Sequence, residues 1–295
     1  MKKRSKLKNE GIVFDIVNTI AMLIFAVVMV YPLWYVLVAS FTDYKELMST
    51  SGMLIWPKNP TVAAYDMAFK NPSIVTSYAN TIFVVVVGTL LNLVMTSIAA
   101  FFLTRRDVKW QKPIYILIII TMYFNGGMIP MYFTVRDLGL ENSLWSLIIP
   151  SALSTFNLIL MKSSLENMPP SLEEAAEIDG AGIWSVLFKI ILPLSKATLA
   201  VIGLYYAVGH WNAWFNALLY IKDREKFPLQ LILREILLQN QTQDMGGAGN
   251  YSEANMIGES IEYAVIIIAT VPILCIYPFL QKYFIKGVMV GAVKG

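Results

Sequence analysis

The sequence has little charge, one cysteine and one histidine. Asp, Glu, Lys and Arg make up 15% of its 295 residues, where soluble domains carry roughly 25%. The lone Cys275 excludes an internal disulfide and any cysteine-held metal cluster. The lone His210 argues against a His-rich metal site or a Ser-His-Asp triad. No Gly-Lys dipeptide occurs, so the GxxxxGK[ST] phosphate loop is missing and the chain does not hydrolyse ATP by itself. A net charge of +3 is too small to suggest a nucleic-acid partner.

What the chain has instead is apolar length. Residues AVILMFWYC form 57% of it and the mean hydropathy is +0.59. A globule of this size cannot hide that much apolar surface, so lipid must solvate much of it. Six stretches of 19 or more residues carry no acidic or basic side chain: 16–42, 71–104, 113–135, 142–161, 197–221 and 263–281. Each can hold the ~20 apolar residues that a helix needs to cross ~30 Å of hydrocarbon. Runs such as IFVVVVGTLLNLVM lack the alternation of a membrane β-barrel strand. Backbone in lipid must satisfy its own hydrogen bonds, so the spans are helices. The expected fold is an all-α integral membrane protein with six transmembrane helices.

Lys and Arg set the orientation. With the N-terminus inside, the inner segments hold 15 basic residues and the outer ones 8, which places both termini in the cytoplasm. The expected layout is a basic tail over 1–12, a first span over 13–40 and an outer loop over 41–75. Further spans follow at about 80–103, 113–134, 142–162, 197–221 and 261–284, with an inner loop at 163–195, an outer loop at 222–260 and an inner tail at 286–295. The first apolar run is too long for a signal peptide and no small-residue cleavage site follows it, so it is read as a retained span.

The inner loop between spans 4 and 5 is unusually long and acidic, with Glu166, Glu173, Glu174, Glu177 and Asp179. Pro169-Pro170 stop the preceding helix. Ser171 then suits an N-cap, with Glu174 completing a capping box. A short helix Leu172–Asp179 ends at Gly180, and a second amphipathic stretch runs over 183–192. Helices lying on a membrane surface usually carry Lys and Arg on their polar face. This one carries carboxylates, so a protein is the expected neighbour.

These residues also resemble a known signature. Glu174-Ala175-Ala176, Asp179-Gly180-Ala181, Phe188, Ile190 and Leu192-Pro193 are similar to the EAA motif of ATP-binding-cassette importer permeases. The six spans, the inner termini and the ending FIKGVMVGAVKG resemble the type I (MetI-like) core of that family, in its MalG-like carbohydrate branch. Asn125-Gly126-Gly127-Met128-Ile129-Pro130 resembles the permeases of Gram-positive bacteria for complex oligosaccharides. The resemblance implies a core at 76–287 in the plasma membrane. It also implies a second related permease, most often as a heterodimer, two copies of a cytoplasmic ATPase, an extracytoplasmic solute-binding protein and a sugar as cargo. No cofactor and no metal are expected. Glu173, Glu174, Ala175, Ala176, Asp179, Gly180 and Ala181 would form the coupling helix that seats in the ATPase. The glycine tip Gly246-Gly247-Ala248-Gly249 of the outer loop would meet the binding protein. The C-terminal tail would either fray or reach toward the ATPase.

A sugar path needs uncharged polar groups and flat aromatic faces. Span 5 offers His210, Trp211, Asn212, Trp214 and Asn216, and span 3 offers Asn125 and Gly126. In straight spans, at about 1.5 Å per residue, His210 and Asn125 would both lie about 20 Å from the inner boundary. Two readings stay open: Trp211 and Trp214 as interfacial anchors or as substrate contacts, and Asn125-Gly126-Gly127 with Pro130 as path or as kink. His210 reads better as a hydrogen-bonded packing residue than as a proton relay. An ion-coupled transporter would place charges inside its spans, and a single histidine with the acidic cluster in an inner loop leaves an intramembrane enzyme a thin catalytic toolkit. Another cargo (peptide, amino acid or phosphate) is the alternative within the same family.

Overall fold

The computed structural model describes residues 2–50, 52–105, 107–245 and 261–276, which are helical apart from turns and one isolated antiparallel bridge, Thr42 to Pro60. The chain divides into two compact units, one of Met1–Lys70 and Ile236–Ile268, the other of Asn71–Glu235 and Ala269–Gly295.

The first unit opens with α1, Lys2–Ser40, a helix of 39 residues with Pro32 inside it. Its part Phe14–Ser40 is 27 residues long and apolar enough to cross a membrane, about 40 Å at the helical rise. Apolar side chains from Phe14 to Leu33 are exposed, as expected of a surface solvated by lipid. Short helices α2, Tyr44–Ser49, and α3, Ala63–Lys70, follow. Asp43 caps α2 by accepting from the Lys45 N–H at 3.0 Å. A small core of Val38, Ala39, Leu47 and Leu54 packs with Tyr35 and Tyr263.

The second unit is built on α4, Pro72–Thr104. Pro72 takes the first helical position, and the Asn71 carboxamide caps the helix by accepting from the Ser73 N–H. Its buried side recurs every three or four residues: Ile74, Ser77, Thr81, Val84, Gly88, Asn92, Thr96, Ala100 and Leu103. Small and hydroxylated side chains dominate this stripe. In a membrane they let helices approach closely and bond across the contact.

Two of the remaining predicted spans are bent at a break, and a third bend falls where the predicted inner loop meets span 5. α5, Gln111–Tyr123, and α6, Met128–Asp137, bend by 118° at the break between them. The 3-10 segment Leu144–Ser151 meets α7, Thr155–Glu166, at 48°. After α8, Ser171–Ile178, the composite helix α9, Ile183–Leu194, meets α10, Lys196–Trp211, at 85°. α11, Trp214–Tyr220, and α12, Leu229–Met245, follow. Two described helices are long enough to cross alone, and five spans result if each bent pair counts as one. The described part of the sixth predicted span is the apolar helix α13, Ile261–Ile276.

The straight-span geometry therefore does not hold for span 3. The Asn125 carboxamide accepts from the Gly127 N–H at 2.8 Å, and Gly127 has φ +91. The Asn-Gly-Gly run makes a sharp turn that a chain with a Cβ at 127 would resist.

Candidate functional site

Two features stand out in the second unit: an acidic helix and a polar cavity. The acidic helix α8 begins one residue earlier than the capping-box reading has it. Pro170 is its N-cap in helical conformation, Ser171 is already inside, and no side-chain cap bond forms. The turn starts at Pro169-Pro170, whose carbonyls accept from Leu172, Glu173 and Glu174, so Ser171 has no capping role. The C-terminal end follows the prediction. Gly180 has φ +77, Ala181 N–H bonds the Ala176 carbonyl at 2.9 Å, and Gly180 N–H bonds the Glu177 carbonyl at 3.0 Å. This pair of bonds is the Schellman motif, which needs a left-handed residue where Gly180 stands.

The two alanines of α8 face different ways. Ala176 is buried in an apolar cluster with Phe101, Leu103, Leu165 and Leu187, whereas Ala175 is exposed. Glu174, Asp179 and Gly180 are exposed, and Glu173 and Ala181 half-buried. Ile178, at the helix tip, is 87% exposed. Beside the helix lies a hollow of about 830 Å³, walled by Arg105, Lys112, Lys162, Glu166, Glu173 and Glu177 among others. Arg105 bridges Asp107 at 2.9 Å and Glu177 at 3.3 Å. The hydrogen bond from Arg105 holds the Asp107 carboxyl below its ordinary range.

The second feature is a cavity of about 490 Å³ between the span-4 and span-5 helices, within the usual size of small-molecule sites. Ser151, Ser154, Asn157, Tyr205, Tyr206, His210 and Asn216 contribute to its wall, which contains no Asp, Glu, Lys or Arg. Most of the buried polar atoms here are spent on the protein. His210 Nε2 lies 2.9 Å from Asn92 Oδ1, and the Asn92 amide donates to the Ser151 carbonyl. With Asn92 Oδ1 as acceptor, the imidazole carries its proton on Nε2. Tyr206 Oη lies 2.7 Å from Thr96 Oγ1 and accepts from the Ser154 N–H at 3.0 Å. Asn157 differs. Its side chain is buried, 4% exposed, and Oδ1 has no hydrogen-bond partner, a state that costs about 1–3 kcal/mol.

The structure thus gathers His210 and Asn216 at one cavity, and places the other predicted path residues elsewhere. Asn125 and Gly126 form the turn in span 3 and do not line it. Trp211 is buried against Tyr78, edge to face at 6.0 Å, and Trp214 lies under the Arg234 guanidinium, 3.8 Å from its ring centre. Asn212 is exposed and donates to the Val208 carbonyl. Residues 246–249 and 286–295 lie outside the described residues. The sequence alone does not mark Gly88, Asn92, Thr96, Arg105, Asn157 or Tyr206 as site residues. The three- to four-residue recurrence of small and polar residues in span 2 is the signal that could have found the first three.

A helical chain with long apolar helices, an acidic, Schellman-capped helix between α7 and α9, and an uncharged polar cavity among its helices has the form of a transport permease. The chain belongs to the family described as binding-protein-dependent transport system inner membrane component, which matches residues 94–290. It is therefore a multi-pass membrane transport subunit, not an enzyme. It is 40% identical over 287 residues to the polygalacturonan/rhamnogalacturonan transport system permease protein YtcP of Bacillus subtilis, covering 96% of this chain and 98% of that one. Protein LplC of the same organism is 42% identical over 285 residues, covering 97% and 96%. Among solved structures, a chain of a bacterial ABC transporter involved in the import of the acidic polysaccharide alginate superimposes with a TM-score of 0.84. It is 32% identical and covers 92% of this chain and 96% of that chain.

Proposed function

We propose that this chain is one permease subunit of an ATP-driven importer for oligosaccharides, with α8 as its coupling helix. The observation that carries the reading is the geometry of α8: Ala176 is seated in the chain's own core while Glu174, Ala175 and Ile178 face outward. The buried face fixes the helix to the spans, and the free face is shaped for a groove on a motor subunit. Closure of that motor on ATP would lever the spans from inward-open to outward-open as packed bodies.

The cargo class rests on two supports. Relatives at 40% identity and at 32% identity carry names that specify polygalacturonan/rhamnogalacturonan and the acidic polysaccharide alginate. The cavity itself joins hydroxyl-seeking groups to the flat rings of Phe156, Tyr205 and Tyr206 without a formal charge. Asn157 Oδ1, buried without a partner, suits a sugar hydroxyl as donor. A second related permease would close the open side of the cavity. Two ATPase copies would sit under the paired coupling helices, with both termini on that cytoplasmic side. An extracytoplasmic binding protein would deliver the glycan, meeting the outer loop near Gly246–Gly249.

The test is reconstitution of the two permeases and the ATPase in proteoliposomes, with candidate binding-protein–oligosaccharide pairs. Stimulated ATP hydrolysis together with uptake of a polygalacturonan- or rhamnogalacturonan-derived or related oligosaccharide is expected. Stimulation by a peptide, amino-acid or phosphate-binding protein alone would overturn the cargo assignment, and uptake without ATP would overturn the whole reading.

A further inference from the structure

We propose that Arg105 is a positioning residue that ties the coupling helix to the end of α4, so that movement of the joint reaches the wall of the cavity. The proposal rests on the permease reading above.

Arg105 is the residue that ends α4. Its guanidinium is held on several sides. Nε donates to Asp107 Oδ1 at 2.9 Å, Nη2 donates to Asp107 Oδ2 and to Glu177 Oε1, each at 3.3 Å, and the Phe101 ring centre lies 5.8 Å from Cζ. The Arg105 side chain is 15% exposed and that of Glu177 55%. The arginine is thus the fixed end of the pair and the glutamate the end carried by the coupling helix. A planar fork with several donors can hold both carboxylates at once, which a lysine ammonium cannot do in one geometry.

The remaining contacts explain what the tie transmits. Ala176, next to Glu177, sits in the cluster of Phe101 and Leu103 from the same end of α4. Gln111, at the start of α5, donates to the Leu103 carbonyl. Higher on α4, Thr96 and Asn92 bond Tyr206 and His210 of the cavity wall. From Thr104 back to Asn92 the helix is continuous, about 18 Å at the helical rise. One rod therefore has the coupling helix pinned at one end and the cavity wall bonded along its length. The acidic residues of α8 divide the work: Glu177 is tied inward, half-buried Glu173 adds a longer-range attraction to the same Arg105, and exposed Glu174, in none of the ion pairs among the described residues, stays available to the motor subunit.

The experiment measures oligosaccharide taken up per ATP hydrolysed in proteoliposomes holding the full complex and its binding protein. Arg105→Ala and Glu177→Ala should each lower that ratio at least about fivefold, the lower end of typical inter-site coupling, with assembly intact by size-exclusion chromatography. The double variant should be no worse than the poorer single one, because both remove the same link. Arg105→Lys should remain impaired. Glu177→Ala removes an exposed carboxylate and so keeps the test open if Arg105→Ala fails to assemble. Unchanged ratios in assembled variants, or losses that multiply in the double variant, overturn the proposal. Wild-type complex that shows no ATP-driven uptake would instead remove the permease reading on which it rests.

Discussion

Gly88 faces the imidazole of His210 so closely that a Cβ at position 88 would lie 2.6 Å from Nε2 and 2.9 Å from Cδ2 and Cε1. Both residues are buried, and His210 is fixed by Asn92, so the ring cannot step aside without losing its bond. Gly88→Ala should therefore destabilise the protein by about 1–3 kcal/mol, the usual cost of overpacking. Thermal unfolding in detergent would show it. In a His210→Ala background the same change should cost much less, and equal costs in both backgrounds would show that the ring is not the obstacle.

Gly180 presents the opposite case. A Cβ there meets nothing within 4 Å, and only its φ of +77 resists a side chain. Gly180→Ala should cost about 1–2 kcal/mol in local backbone energy, while Gly180→Asn should be milder because asparagine tolerates the left-handed region. We expect binding-protein-stimulated ATP hydrolysis to fall in the order Gly, Asn, Ala, with membrane insertion unchanged. A variant series without that order would detach the turn from coupling.

In the cavity, Asn157→Leu should leave thermal stability unchanged or raised, since it removes a buried carbonyl that has no partner. The same variant should slow oligosaccharide uptake by about 2- to 10-fold, the equivalent of one lost hydrogen bond of 0.5–1.5 kcal/mol. Uptake rates at saturating binding protein are the measurement. A stability loss with unaltered uptake would make Asn157 a packing residue.

A fourth expectation concerns acid. Glu141 accepts from Tyr132 at 2.7 Å and pairs with Lys222 at 3.0 Å. These bonds hold its carboxyl below the ordinary range, the one from Tyr132 most. A lowered folded-state pKa means the stabilisation is present above the ordinary carboxylate value and is lost as pH falls through the lower one. Asp223, lowered by bonds from Lys226 and Asn142, has the same sign. Protection of the amides of Lys222 and Asp223, which donate to Asn142 Oδ1, read as their hydrogen exchange relative to the intrinsic rate at each pH, should fall on acidification below the ordinary carboxylate range. Replacing Glu141 by Gln should flatten that response.

The sequence shows the apolar helices and the turn that ends α8 because each is written in local chemistry. Charge-free runs select lipid, and Gly180 follows Asp179 where a helix must stop. The cavity is much less legible. His210 and Asn216 stand out as polar residues in an apolar run, yet Asn92, which bonds His210, and Ser151, whose carbonyl accepts from Asn92, lie far away in sequence and become neighbours only on packing. Trp211 looks like a sugar platform in one dimension, but its direction is set by Tyr78, 133 positions earlier in the chain. Asn125 misleads for a related reason: its carboxamide is consumed by the turn that Gly127 permits. Arg105 is visible as one more basic loop residue, and nothing local marks it as the partner of Glu177.

The breaks at Ala152–Ser154 and Asn212–Ala213 make the cavity wall a jointed surface instead of a set of continuous posts. A few backbone torsions at those joints can change the opening while every α-helical ladder on either side stays whole. Under the proposed path, substrate passage would need no melting of a span, and the energy of each stroke would go into swivelling short stiff segments.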